Sequence, residues 1–159
     1  MMSRFFCLVS LALITLFAWG CSEKPLSGGT YVLSQVGITQ DDCNILKDDL
    51  KEGHEIEVAV NDGTITINVA DDVTPPTGTI LGGKFTAFAS KDADLIPNTD
   101  CHDMWIKKLT GTILKKNVFT AVYEFSDKTI SGADCADEEK IGFHPPRCTT
   151  AMTFTATKK

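Results

Sequence analysis

His54–Val69, HEIEVAVNDGTITINV, is the stretch whose reading decides the fold. Ile56, Val58 and Val60 fall on one face of an extended chain; after Asn61, Asp62 and Gly63 come Ile65, Ile67 and Val69 on one face, with Thr64, Thr66 and Asn68 opposite. Successive side chains of a strand point to opposite sides, so two alternating runs around an Asp-Gly turn predict a β-hairpin with one buried face and one wet face.

The same two-residue period recurs outward from this hairpin. Near the C-terminus Met152, Phe154 and Ala156 alternate with Thr153, Thr155 and Thr157. Between the two lies an internal repeat: Gly78 to Leu81 reads Gly-Thr-Ile-Leu and is followed by Phe85-Thr86-Ala87 and by Asp100-Cys101. Gly111 to Leu114 repeats the four, followed by Phe119-Thr120-Ala121 and by Asp134-Cys135. The step from Phe to Cys is sixteen residues in both copies. Two copies are too few for a solenoid, so the repeat reads as a duplicated hairpin with turns at Gly82 to Lys84 and Lys115 to Val118.

With Thr30 to Val36 as the first strand, eight are expected, at about 30–36, 54–60, 64–69, 77–82, 84–90, 104–114, 118–126 and 149–157. Eight short antiparallel strands predict an all-β fold, an up-and-down barrel, with a β-sandwich as the alternative. One segment departs from the period. Thr39 with Asp42 three residues on suits a capping box, Cys43, Leu46 and Leu50 share a helical face, and Gly53 suits a stop, so Gln40 to Lys51 reads as one short helix or, alternatively, an irregular loop.

The chain opens with one positive charge at Arg4 and a run from Phe5 to Phe17 that is apolar but for Ser10 and Thr15. That length suits a signal peptide and is short of the roughly 20 residues of a membrane-spanning helix. The run ends in Ala18-Trp19-Gly20-Cys21, which resembles the lipobox of bacterial lipoproteins, Gly20 and Cys21 carrying the match. The resemblance implies that residues 1–20 are a signal peptide, that Cys21 is acylated and begins the mature chain, that residues 21–29 are anchor and tether, and that residues 30–159 are a single barrel domain. Ordinary cleavage after Gly20 is the alternative. Cysteine parity separates the two readings. Cys7 leaves with the leader; if Cys21 carries lipid, Cys43, Cys101, Cys135 and Cys148 remain as two disulfides in an oxidising compartment, whereas simple secretion leaves one thiol over. Of the three possible pairings, Cys43 with Cys101 and Cys135 with Cys148 is favoured, because the second closes a short local loop. The bacterial cell envelope is the expected location, with the outer membrane favoured over the inner by Ser22 after the cysteine.

In a meander, successive connections alternate between the two ends of the barrel. The second, fourth and sixth are tight here and the others long, so one end is trimmed and the other elaborated. The tether, tight turns and C-terminus hold Lys24, Lys84, Lys115, Lys116, Lys158 and Lys159 against Glu23 and Asp62, a balance of +4; the long connections hold sixteen acidic and six basic residues, or −10. The first strand begins at the trimmed end, which is therefore expected beside the membrane, where lysines favour anionic lipid. The elaborated end points away. After loss of Arg4 the mature charge is 14 basic minus 21 acidic residues, −7, which argues against nucleic acid as a partner.

Chemistry-bearing motifs are few. Asp41, Asp42, Asp92, Asp94, Asp100 and Asp103 are the candidates for contact with a ligand or a basic protein partner, but they lack the ligand spacing of a calcium loop. His54, His102 and His144 stand singly, without a zinc-ligand partner in sequence. No nucleophile-elbow serine or phosphate-cradling glycine loop is present, so neither metal nor cofactor is expected, and a binding or structural module is expected rather than an enzyme. Gly29-Thr30-Tyr31 resembles the Gly-x-Trp opening of lipocalins, with Tyr in place of Trp. That resemblance implies an eight-stranded meander carrying a small apolar ligand, with the Gln40 to Lys51 helix as a lid. A cavity lined by Phe85, Ala87, Ala121 and Tyr123 would favour the carrier; an interior filled by these and by Trp105, Phe119 and Phe125 would favour a macromolecular partner at the acidic end.

Overall fold

The hairpin around Asp62-Gly63 forms as its alternation requires, Val60 opposite Ile65 and Val58 opposite Ile67, and the rest of the wall is built on the same rule. The computed structural model describes residues 25–43, 50–69, 74–94, 102–131 and 148–159. Eight strands make it up: β1 (Gly29–Asp41), β2 (Glu55–Asn61), β3 (Thr64–Asn68), β4 (Thr77–Leu81), β5 (Lys84–Asp94), β6 (His102–Lys115), β7 (Val118–Ser131) and β8 (Cys148–Lys158). Each pairs antiparallel with the next, and β8 returns to β1 to close a barrel. The sandwich alternative is thereby set aside, because β1 and β8 share a ladder from Tyr31 opposite Lys158 to Asp41 opposite Thr150.

Inward and outward side chains alternate along β2, β3 and β8 and through the tight-turn halves of the longer strands. Tyr31, Leu33, Ile56, Ile65, Ile67, Leu109, Phe119, Met152 and Phe154 point in and are buried; each contributes about 1.5–3 kcal/mol relative to exposure. Three aromatic contacts centre on Phe119, with ring centroids 5.3 Å from Tyr31, 5.3 Å from Phe85 and 6.2 Å from Phe154. The outward positions hold Thr64, Thr66, Thr86, Thr112, Glu55 and Glu57, and Lys108 bonded to Glu124 at 2.9 Å. An apolar interior inside a hydroxyl-rich and charged wall is the reverse of a lipid-facing barrel.

The two glycines of the repeat have one job. Gly78 lies opposite Ala87, and Gly111 between Phe85 and Ala121, all inward rows. A Cβ on Gly78 would run into the Thr86 carbonyl oxygen, and one on Gly111 into the Phe85 ring. Strands can approach that closely only where a side chain is missing. The repeat is thus two hairpin arms whose glycines admit close packing and whose phenylalanines, Phe85 and Phe119, meet in the core.

The trimmed end is closed by the segment leading into β1. Leu26 is buried in the core. Ser27 fixes it there: its N–H donates to the Lys116 carbonyl at 3.0 Å, its hydroxyl donates to Asn117 Oδ1 at 2.8 Å, and its carbonyl accepts from the Tyr31 hydroxyl at 2.6 Å.

Five strands, β1 and β5 to β8, are longer than expected. β5 and β6 pair without a break from Lys84 opposite Thr112 to Asp94 opposite His102, although Lys91, Asp92, Asp94 and Asp103 suggest a loop. Backbone ladder bonds do not depend on side-chain polarity, and a neighbour that continues carries a charged flank along with it. Strands β5, β6, β7, β8 and β1, of 11, 14, 14, 11 and 13 residues, rise past β2, β3 and β4, of 7, 5 and 5. β1 parts from β2 near Gln35, whose φ of 53° marks a bulge, and runs on beside β8 alone. That ladder corrects the expected helix from Gln40 to Lys51 at its start. Gln40 and Asp41 are strand, Asp42 and Cys43 form a turn, and residues 44–49 lie outside the described residues, among which there is no helix.

Candidate functional site

The strand ends joined by the long connections form one end of the barrel, and there the inward rows change character. Along β6 the row reads Leu109, Lys107, Trp105; along β7, Tyr123, Phe125, Asp127; along β8, Met152, Thr150, Cys148. Leu109, Tyr123 and Met152 still belong to the core, and the two tiers beyond them bring an amine, a carboxylate and a hydroxyl into the mouth. Asp127 is 8% exposed and Thr150 fully buried. The Thr150 hydroxyl donates to Asp41 Oδ1 at 3.1 Å, so the last residue of β1 enters the same tier. Lys107 and Phe125 are half-buried around it.

A disulfide continues the β1–β8 ladder at this mouth. Asp42 N–H donates to the Thr149 carbonyl at 3.0 Å, and Cys43 is bonded to Cys148 with the Cα atoms 5.0 Å apart. The expected pairing of Cys43 with Cys101 and of Cys135 with Cys148 is therefore corrected. The local-loop preference failed because β8 begins at Cys148 itself, beside the end of β1, whereas Cys101 and Cys135 lie outside the described residues. The bond spans 105 residues and staples the edge that β1 leaves when it parts from β2.

The acidic candidates are not brought together. Asp41 is in the mouth; Asp42, exposed in the next turn, accepts from Gln40 Nε2 at 2.6 Å. Asp92 is exposed on β5 opposite Met104, Asp94 is opposite His102, and Asp103 is on β6 opposite Ala93. β1 and β5 are the two margins of the five-strand wall, four strand spacings apart, or roughly 19 Å along the sheet. Asp100 and Cys21 lie outside the described residues. Among the described residues no three His, Cys, Asp or Glu side chains stand close enough to hold a metal ion. His54 caps a strand end, its Nε2 lying 3.0 Å from the Val69 carbonyl oxygen.

Asp127, Lys107 and Thr150 were missed by sequence reasoning. The available signal was parity: Asp127 continues the inward row of Tyr123 and Phe125, and Lys107 that of Leu109. Neither is among the candidates that the sequence singles out, and the expected strand over 118–126 stops one residue short of Asp127. Phe85, Ala87, Ala121 and Tyr123, the residues of the expected cavity, are core residues none of which is more than 6% exposed. An open depression of about 540 Å³ does exist, lined by outward threonines, among them Thr86, Thr110, Thr120, Thr153 and Thr155, together with Gln35.

Comparison with protein-family models, with curated proteins and with solved structures finds no match to this chain.

Proposed function

We propose that the chain is a lipid-anchored lipoprotein of a bacterial cell envelope, an up-and-down barrel that presents a disulfide-stapled acidic end to a basic macromolecular partner and performs no catalysis. The filled interior carries this reading. Phe85, Ala87, Ala121 and Tyr123 spend their side chains on packing, with Phe119 at the centre, which leaves the barrel as a rigid scaffold rather than a container. The Cys43–Cys148 bond supports an oxidising compartment and stiffens the strand ends from which the acidic connections spring. Asp42 and Asp92, both exposed, offer carboxylates at the two margins of the wall. A lipocalin-like carrier would share the strand order and need a hollow core.

Native mass spectrometry of residues 22–159 from an oxidising compartment, before and after solvent extraction, tests the reading. A bare mass with two disulfides is expected. An extra mass that disappears on extraction would replace the partner reading with the carrier. The anchor is tested separately by palmitate labelling of the full chain, which should label wild type and leave Cys21→Ser unlabelled.

A further inference from the structure

The two arms of the repeat end in a feature that packing does not explain. Gly-Thr-Ile-Leu places its glycine and isoleucine on the inward side and its threonine and leucine outward, so each arm finishes with a leucine facing solvent. Leu81 is 81% exposed and Leu114 49%. Isolated exposed leucines are ordinary; these two belong to one patch. Leu81 is the cross-strand partner of Lys84, Lys84 pairs with Thr112, and the Ile113 N–H donates to the Gly83 carbonyl at 2.7 Å, which ties the β4–β5 turn to the last residues of β6. Lys115 and Lys116 follow Leu114 directly, and all three lysines are exposed. Lys158 and Lys159 lie at the same end but are engaged, Lys158 Nζ donating to the Ser27 hydroxyl at 3.4 Å and Lys159 to Glu55 Oε1 at 2.8 Å. Asp62 lies on the neighbouring turn, where the Ile80 N–H donates to the Gly63 carbonyl at 2.8 Å.

We infer that this paired-turn tip, Leu81 and Leu114 framed by Lys84, Lys115 and Lys116, is a docking surface for an anionic lipid bilayer. Leucines at the tips of rigid turns can enter the acyl boundary while adjacent lysines stay among the headgroup phosphates, the division of labour that holds interfacial segments on membranes. Two further observations favour a bilayer over other occupants. Among the described residues no carboxylate is paired with Lys84, Lys115 or Lys116, which leaves these cations complementary to a phosphate surface. The described segment that leads into β1 lies at this same end, because Ser27 is bonded to Lys116 and Asn117 of the same turn. The inference deepens the tethered reading and can fail apart from it, since palmitate labelling of Cys21 reports on the anchor alone. It also makes the repeat a functional unit: its glycines let the arms pack closely, and its leucines supply their tips.

The test uses residues 22–159, which keep every strand of the closed barrel and the Leu26 plug but carry no lipid. Binding to phosphatidylglycerol–phosphatidylethanolamine vesicles is expected, falling with added salt, with little binding to phosphatidylcholine vesicles. Partitioning should fall about fivefold for each of Lys84→Gln, Lys115→Gln and Lys116→Gln, and roughly tenfold for each of Leu81→Ser and Leu114→Ser. These side chains are exposed, so the variants should keep the Cys43–Cys148 bond and the β-sheet circular dichroism. A spin label on the lipid headgroup should broaden the amides of Leu81 to Lys84 and Leu114 to Asn117 and spare Trp105 and Asp92. Broadening centred on Trp105 and Asp92, or partitioning indifferent to all five substitutions, would overturn the inference. A dimer in solution that the leucine variants dissolve, with vesicle binding unchanged, would overturn it in favour of a second copy.

Discussion

The two ends of the barrel are made from the same strands and solve different problems. At the trimmed end the inward rows are aromatic, Phe85, Phe119 and Phe154 with Tyr31, and the closure is a buried leucine held by Ser27. At the elaborated end the rows pass within two tiers from Leu109, Tyr123 and Met152 to Lys107, Asp127 and Thr150, and the closure is covalent. A small barrel needs only one end dry enough to carry its core. Once the apolar tiers at the tight turns have closed the sheet, the strands can run on with polar interiors, provided that something other than hydrophobic burial holds them. The β1–β8 disulfide is placed where β1 has lost β2 as a neighbour.

The comparison is broken most forcefully at Phe119. Phe119→Ala removes the ring on which three aromatic contacts converge and should cost about 3–5 kcal/mol in urea unfolding. Phe125→Ala, half-buried in the mouth, should cost clearly less. Equal losses would mean that the mouth is as much a core as the trimmed end. The staple comes next. Replacing Cys43 and Cys148 together by serine should lower stability by roughly 2–4 kcal/mol, with hydrogen-exchange protection lost at Asp42 and Thr150 before Tyr31 and Phe119. Uniform loss of protection would make the two ends one cooperative unit.

A smaller effect is expected at the arms. Gly111→Ala sets a methyl against the Phe85 ring and should cost about 1–3 kcal/mol. Gly82→Ala meets no neighbouring atom and should cost about 1 kcal/mol or less, from its positive φ alone. Tyr31→Phe, which removes the bond to the Ser27 carbonyl, is likewise small, about 1 kcal/mol. Its signature lies in pH. Burial raises the Tyr31 phenol above its ordinary 10.0 in the folded barrel. The unfolded chain therefore ionises first; stability is full below that value and declines as pH rises beyond it, and the phenylalanine variant should lack part of the decline.

The disulfide map also sharpens the picture of the mouth. With Cys43 bonded to Cys148, the two-disulfide expectation leaves Cys101 for Cys135, and peptide mapping of the oxidised chain should recover that pair. His102, which follows Cys101, stands opposite Ser131, four residues before Cys135, so the β6–β7 ladder ends close in sequence to both cysteines.

The sequence by itself determined the eight strands, their alternation and the tight turns, because a two-residue period and a glycine turn are local properties that each hairpin expresses on its own. His54–Val69 needs no distant partner to declare itself. It likewise carried the residues of the repeat, Gly78 with Gly111 and Phe85 with Phe119, though not the reason for them. Only the tertiary structure decided what depends on a neighbour: that β8 closes on β1, that Gln40 and Asp41 stay extended along that ladder, that charged flanks remain strand because the adjacent strand continues, and that Cys43 meets Cys148. It also turned Asp127 and Lys107 inward and left Leu81 and Leu114 outside. Polarity indicates which face a residue prefers, but parity along a strand fixed by its pairing determines which face it receives.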